Sequence, residues 1–299
     1  MKIIQSFWTK PFLRSGDLLT DARLNGGWPH RRFNYYSIAL SYHHLRKFYD
    51  EVELVTDSIG YELLIEKLRL AYNKVSVELD HLDDYEPGLW ALGKIYAYRM
   101  QESPFLHVDN DIFINRPFGS VVSEAALVAQ NKQASTPHYS TTFRDICKRF
   151  PYVPGYLKKI EELPFVPCVN AGILGGSNIA FFRQYTEEVF EFINRNHDFI
   201  SGHMDQFNSA FVNVVFEQVL FYSLSREAGV DIDYLFPDHN DNPPSIGYLH
   251  EMDCHQGYAH ALGDYKKLRM VYKMVEHELS TGYPESFSRI NDLLSVLEL

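Results

Sequence analysis

Apolar and polar positions alternate along the first third of the chain with two different periods. Lys2–Phe7 reads as a first strand, Val52–Thr56 as a short β-branched strand, and Val75–Leu79 alternates as a strand does. Between the first two, Tyr35, Ile38, Ala39, Tyr42, Leu45 and Tyr49 recur at helical spacing and predict a helix from Phe33 to Phe48. Tyr61–Ala71 and Leu89–Met100 read as further helices, and Phe105–Val108 as the next strand. Strands alternating with helices predict βαβ units, hence an α/β fold with a Rossmann-like, mostly parallel central sheet flanked by helices. Ligands of such sheets bind beyond the carboxyl ends of the strands. Gln5–Trp8, Asp57 and Asp109–Asp111 all fall at such ends.

The pattern changes after Phe118. Leu127–Ala129 reads as a further strand and Val169–Leu174 as a buried one, while Phe182, Tyr185, Val189, Phe192 and Ile193 mark the inner face of a helix. Phe211–Leu224 is an apolar helical stretch. Residues 131–167 carry Pro137, Pro151, Pro154, Pro164 and Pro167 and read as an irregular segment with two short helices, a candidate cover over a site. No repeat or linker divides the chain, so a single domain over 1–299 is expected.

Composition narrows the function. The chain has 299 residues, 45% of them hydrophobic, which is ample for a large core. Its formal charge of −11 argues against nucleic-acid binding, which needs clustered Lys and Arg. No signal-peptide core and no run approaching the roughly 18 apolar residues of a membrane span are present. Cys147, Cys168 and Cys254 form no Cys-x-x-Cys pair and read as free thiols of a reducing cytoplasm.

The densest chemistry lies at Asp109-Asn110-Asp111, where a strand runs directly into two carboxylates. Charged side chains are rarely buried unless paired or ligated, so this is a place for a cation, and a hard divalent metal carrying a diphosphate suits it. Asp231-Ile232-Asp233 has the same spacing without that context and reads as an ordinary strand-edge or loop pair. Three later segments also bear on chemistry. Asn170-Ala171-Gly172-Ile173-Leu174-Gly175-Gly176 joins a buried strand to glycines, which serve either close approach of a ligand or a tight turn. Glu217-Gln218 places polar groups inside an apolar helix, as a site or as a polar face. His260 is followed by Gly263 and Lys266.

The order of these segments resembles GT-A-fold glycosyltransferases, most closely family 8, the glycogenin and lipopolysaccharide galactosyltransferase group. The matching pieces are Asp109-Asn110-Asp111, Asn170-Ala171-Gly172, Glu217-Gln218 and His260-Ala261-Leu262-Gly263-Asp264-Tyr265-Lys266, and they span roughly residues 1–270. Glu217 stands where the family has Asp, Lys267-Leu268 where it has Pro-Trp, and the family's arginine-bearing nucleotide segment has no counterpart.

The resemblance implies a GT-A fold with a nucleotide and metal half at 1–118 and a sugar and acceptor half at 119–299. It implies a retaining transferase that moves a sugar from a nucleotide-diphospho-sugar, UDP-sugar favoured, to a glycan, lipid-linked or protein acceptor. Asp109, Asp111 and His260 would hold Mn²⁺ or Mg²⁺, with the imidazole tilting the choice to Mn²⁺. Gln5, Phe7, Trp8 and Asp57 would lie near the nucleoside, Asn110 would bind the donor, and Gly263 would meet the diphosphate. Asn170, Ala171 and Gly172 would line the sugar, with Lys94 a candidate extra contact whose plainer reading is a solvated lysine. Glu217, Gln218 and Lys266 would act in catalysis. A cytoplasmic protein is expected, with the inner membrane surface as an alternative site of action. The competing readings are a nucleotidyltransferase, for which the N-terminal glycine-rich loop is lacking, and a non-catalytic scaffold of the same fold.

Overall fold

The computed structural model describes residues 1–13, 25–134, 137–203, 206–207, 209–237 and 241–297. It is a mixed α/β protein with a mostly parallel sheet and flanking helices. The strands are β1 (Lys2–Phe7), β2 (Val52–Thr56), β3 (Lys74–Val77), β4 (Phe105–Val108), β5 (Ile112–Ile114), β6 (Leu127–Ala129), β7 (Lys132–Ala134), β8 (Pro167–Val169), β9 (Ile173–Gly176), β10 (Ile232–Tyr234) and β11 (Tyr258–His260). The chain forms two compact units whose segments interleave: Lys2–Asp83, Val108–Phe118 and Pro243–Leu299 make one, and Asp84–His107 and Gly119–Asn242 the body of the other.

In the first unit β1, β2 and β3 run parallel, with Ile3 opposite Val52 and Glu53 opposite Lys74. The Arg31–Phe48 helix crosses from β1 to β2 and buries Tyr36, Ile38, Leu40 and Leu45. It begins where His30 accepts the Arg32 N–H through its imidazole, satisfying one of the free donors of a helix start. The Arg269–Gly282 and Pro284–Leu297 helices complete this unit. Phe33 meets Tyr272 and Tyr36 meets Phe287, with ring centroids 4.5 and 5.1 Å apart.

The helix expected at Tyr61–Ala71 starts earlier and is wound differently. Asp57 caps a turn at Ser58–Tyr61, which continues as a π-helix over Glu62–Lys67 and stops where Arg69 takes φ +55°.

In the second unit β10 runs parallel to β6, and β6 pairs antiparallel with β9, Val128 opposite Gly175. The apolar face of the Ile179–Arg195 helix buries Phe182, Tyr185, Val189, Phe192 and Ile193. The helix expected at Leu89–Met100 begins at Leu92, because the Asn213 side chain binds the chain just before it: Ala91 N–H donates to Asn213 Oδ1 (2.8 Å), and Asn213 Nδ2 donates to Gly88 O (2.7 Å).

Residues 131–167 are not an irregular loop. β7 and β8 pair antiparallel at its two ends, and a 13-residue helix, Pro137–Arg149, fills much of its middle. The prolines concealed that helix, since Pro at the first helical position is favourable rather than disruptive. Its buried Phe143 and Ile146 supply the apolar spacing, and Pro151 and Pro154 follow its end. Positions 135 and 136 lie outside the described residues.

Val169–Leu174 is likewise two strands rather than one. Asn170 Oδ1 accepts the Gly172 N–H (2.9 Å) and turns the chain between β8 and β9. Gly175 and Gly176, expected to serve either ligand approach or a tight turn, meet neighbouring strand backbone instead. A Cβ on Gly175 would stand 2.2 Å from Phe105 O, and one on Gly176, at φ +145°, would stand 2.2 Å from Ala126 O. Their backbones touch β4 and the start of β6, so the missing side chains serve strand packing. Gly175→Ala should therefore destabilise the protein by about 3 kcal/mol or more, at the upper end of overpacking costs. Urea unfolding monitored by circular dichroism would measure the loss.

Candidate metal and diphosphate site

The carboxylate pair sits on a turn held by its neighbours. Ile112 N–H donates to Asp109 O (3.1 Å), closing Asp109–Ile112 between β4 and β5. Asn110, between the acids, points its amide back to β1, donating from Nδ2 to Ser6 O (2.8 Å). Its own carbonyl accepts from Ser37 Oγ (2.8 Å), and Ser41 Oγ reaches Asp109 O at 3.4 Å. Ser37 and Ser41 are one helical turn apart, so a single face of the Arg31–Phe48 helix holds the turn.

His260 arrives by strand pairing. β5 and β11 are antiparallel with His260 opposite Ile112, and Ala261 N–H donates to Asp111 O (3.0 Å). The register places the imidazole beside the acids although about 150 residues separate them in sequence. One ligand atom from each of Asp109, Asp111 and His260 lies within 4.8 Å of the others. The acids are half-buried and His260 is buried. Among the described residues this is the one group of three or more His, Cys, Asp or Glu so arranged. Asp231 instead lies beside Arg226 (3.7 Å), as an ordinary surface residue does.

Lys266 supplies the local positive charge. Its Nζ is 2.7 Å from Asp111 Oδ2 and donates to Gly26 O (2.9 Å), and it stands 5.8 Å from the centre of the Trp28 ring. Burial would raise the Asp111 pKa, but Lys266 and His260 outweigh it and hold the carboxyl well below the usual range. Asp111 Oδ1 lies 3.4 Å from His260 Nε2 and accepts no hydrogen bond. A buried carboxylate oxygen left in that state is costly, and a divalent cation between the acids and the imidazole would satisfy it. The residues thus fit a metal. Gly263, at φ +42° with open space where a Cβ would stand, opens the short helix that carries Lys266.

The residues expected near the nucleoside are more deeply set. Gln5 is fully buried, donating to Ser41 Oγ (3.0 Å) and accepting from Tyr72 OH (2.8 Å), so its amide ties β1 to its neighbours. Asp57 accepts the Thr9 N–H and hydroxyl (both 2.6 Å) at Oδ2 and the Gly60 N–H (2.7 Å) at Oδ1. Phe7 stacks on Phe12 with centroids 5.7 Å apart. Trp8 is buried with its indole N–H making no hydrogen bond.

The other unit contains Lys94, Asn170, Ala171, Gly172, Glu217 and Gln218. Lys94 is no solvated lysine: its buried Nζ lies 2.6 Å from Glu217 Oε1 and 3.4 Å from Ala171 O. Glu217 is wholly buried, its Oε2 accepts no hydrogen bond, and its carbonyl accepts from Tyr185 OH (2.7 Å). Glu217 and Gln218 lie in a π-helical turn, Val215–Val219, between the Ser209–Val214 and Leu220–Ala228 helices. Such turns occur often at functional sites. Gln218 is half-buried, and Asn170 binds Asn242 Oδ1 through Nδ2 (3.1 Å).

A family model described as a family of unknown function, DUF6734, matches residues 1–293. The chain belongs to that family. No curated protein matches this DUF6734 member. Among solved structures it is similar to the glycosyltransferase GlyE of Streptococcus pneumoniae TIGR4, at 9% identity and a TM-score of 0.42, over 98% of this chain and 64% of that one. It is also similar to mouse xyloside xylosyltransferase 1 in its apo form, at 11% identity and a TM-score of 0.39, over 78% of this chain and 84% of that one. The DUF6734 chain thus spans a little under two thirds of the GlyE chain.

Sequence reading missed Ser37, Ser41 and Trp28 around the acids, and Tyr185 behind Glu217. The i, i+4 serines at buried positions of the Arg31–Phe48 helix were a visible signal, whereas Tyr185 was marked only as an inner-face position of its own helix. The Lys94–Glu217 pair gives a direct test in this DUF6734 protein. Lys94→Met would leave the Glu217 charge buried without its cation and should cost about 3–5 kcal/mol, while Lys94→Met with Glu217→Leu should recover most of it. Chemical denaturation of the three proteins measures the difference.

Proposed function

We propose that this protein is a divalent-metal-dependent glycosyltransferase that uses a nucleotide-diphospho-sugar, UDP-sugar favoured. The observation that carries the reading is the meeting of Asp109, Asp111 and His260, drawn from separate segments, with their ligand atoms within 4.8 Å. Two carboxylates and an imidazole suit Mn²⁺, with Mg²⁺ as the alternative. When bound, the metal supplies Lewis-acid stabilisation of charge on a departing diphosphate. Lys266 adds an ammonium beside Asp111, and the N–H at Gly263 offers a donor for the same anion. Phe7, Trp8, Asp57, Gln5 and Asn110 are the residues proposed to shape the nucleoside end. Asn110 Oδ1, which accepts no hydrogen bond, has acceptor capacity to offer there.

The sugar-handling roles of Asn170, Ala171, Gly172, Glu217 and Gln218 rest on the sequence resemblance. So do a retaining outcome and a glycan, lipid-linked or protein acceptor. The buried ion pair of Glu217 with Lys94 supports retention, since a general base needs a free carboxylate within reach of the acceptor hydroxyl. The same burial favours a second reading, a scaffold that binds donor without turnover. No helix among the described residues is long and apolar enough to cross a membrane. A cytoplasmic place of action is part of the proposal.

Screening UDP-, GDP-, CMP- and dTDP-sugars for Mn²⁺-dependent release of the nucleotide tests the reading, because a scaffold binds without release. Asp109→Asn and Asp111→Asn should each lower that release by about two orders of magnitude or more, the scale of losing a preorganised electrostatic group. They should also abolish the Mn²⁺-dependent thermal shift produced by nucleoside diphosphate while leaving the circular dichroism spectrum intact. An unchanged thermal shift in both variants removes the metal assignment.

A further inference from the structure

Lys266 occupies a position that a metal ion would contest. Its ammonium lies 2.7 Å from Asp111 Oδ2, so one oxygen of a proposed metal ligand is already paired with a cation. The same ammonium donates to Gly26 O (2.9 Å) and stands 5.8 Å from the Trp28 ring centre. Gly26 and Gly27 lie at φ +55° and +86°, backbone that glycine takes without strain, and a Cβ on Gly27 would stand 3.3 Å from Lys266 Cδ. Gly27 therefore makes room for the lysine stem, while Gly26, where a Cβ would stand 2.5 Å from Asn34 Oδ1, presents its carbonyl to the lysine tip.

The backbone beneath Lys266 is held on its other side. Tyr265 packs against Gly247, where a Cβ would stand 3.1 Å from Tyr265 Cβ, and edge-on against Tyr248 with centroids 6.0 Å apart. The movable part is the flexible four-carbon stem of Lys266. A dication entering beside Asp111 would meet the ammonium as a like charge. An anion that takes the ammonium away would separate them.

We infer that Lys266 is an internal counter-ion that holds Asp111 in the metal-free protein and passes to an incoming diphosphate as the metal takes its place. Metal and diphosphate then bind as a coupled pair, and the transfer releases Gly26 O and moves the charge beside Trp28. The inference rests on the metal reading above and adds the coupling of the two ligands. Coupling arises because Lys266 contacts differ between the two states, and it is reciprocal: each ligand tightens the other by the same factor.

Calorimetry with Mn²⁺ alone and with preformed manganese pyrophosphate, on wild type and Lys266→Met, tests it. Wild type should bind manganese pyrophosphate at least about tenfold more tightly than Mn²⁺ alone, within the usual range of coupling. Lys266→Met should bind Mn²⁺ alone about tenfold more tightly than wild type does and lose the advantage of the pyrophosphate complex. Lys266→Arg should retain the coupling in part. Tryptophan emission should change when manganese pyrophosphate binds wild type, and Trp28→Phe should remove that change. Equal Mn²⁺ affinities in wild type and a folded Lys266→Met overturn the counter-ion role and leave the metal site standing. Absence of saturable Mn²⁺ binding to either protein, with or without pyrophosphate, overturns both. If Lys266→Met does not fold, wild type decides alone: manganese pyrophosphate binding no tighter than Mn²⁺ overturns the inference.

Discussion

Two carboxylates separated by one residue, at the end of a buried strand, set the electrostatic constraint around which the candidate site is built. Charge placed there is tolerated only where countercharge and hydrogen bonds are assembled around it. The chain meets that demand with residues from four regions. Asn110 anchors to Ser6, Ser37 and Ser41 hold the turn from the long helix, the β5–β11 ladder brings His260, and Lys266 pairs with Asp111. The remaining gap in this arrangement, Asp111 Oδ1 beside His260 with no hydrogen-bond donor, has the form of a cation site.

The other unit carries a second buried charge pair under a different rule. Lys94 and Glu217 neutralise one another at 2.6 Å, and Tyr185 fixes the Glu217 backbone where the helix widens into a π turn. Desolvation makes such a pair a poor source of net stability, and removing one member leaves an uncompensated charge. The geometry of the pair makes Lys94 a partner of Glu217 before it is a partner of anything else.

The glycines show how one residue type answers two needs. Gly175 and Gly176 let β9 press against neighbouring backbone, where a Cβ would stand 2.2 Å from a carbonyl oxygen. Gly26 and Gly27 adopt left-handed backbone, the first packed against Asn34 and the second beside the Lys266 stem. Gly263 has open space instead. Only the last is free in the way a ligand-facing glycine must be.

The alternation of strand and helix periods over residues 1–118 was sufficient by itself to predict the α/β class, the strands β1, β2 and β4, and the strand-end location of Asp109 and Asp111. Periodicity reports which face an element buries, and that information is local. It could not report partners. The π turns at Glu62–Lys67 and Val215–Val219 and the helix at Pro137–Arg149 depend on packing that spacing does not encode. That Lys94 is buried against Glu217 and that Gln5 is consumed inside the core are likewise tertiary facts. The union of His260 and Lys266 with the acids is the clearest case. Sequence order suggested it by resemblance, but the β5–β11 register decides it, because a strand slipped by one residue would turn the imidazole to the opposite face.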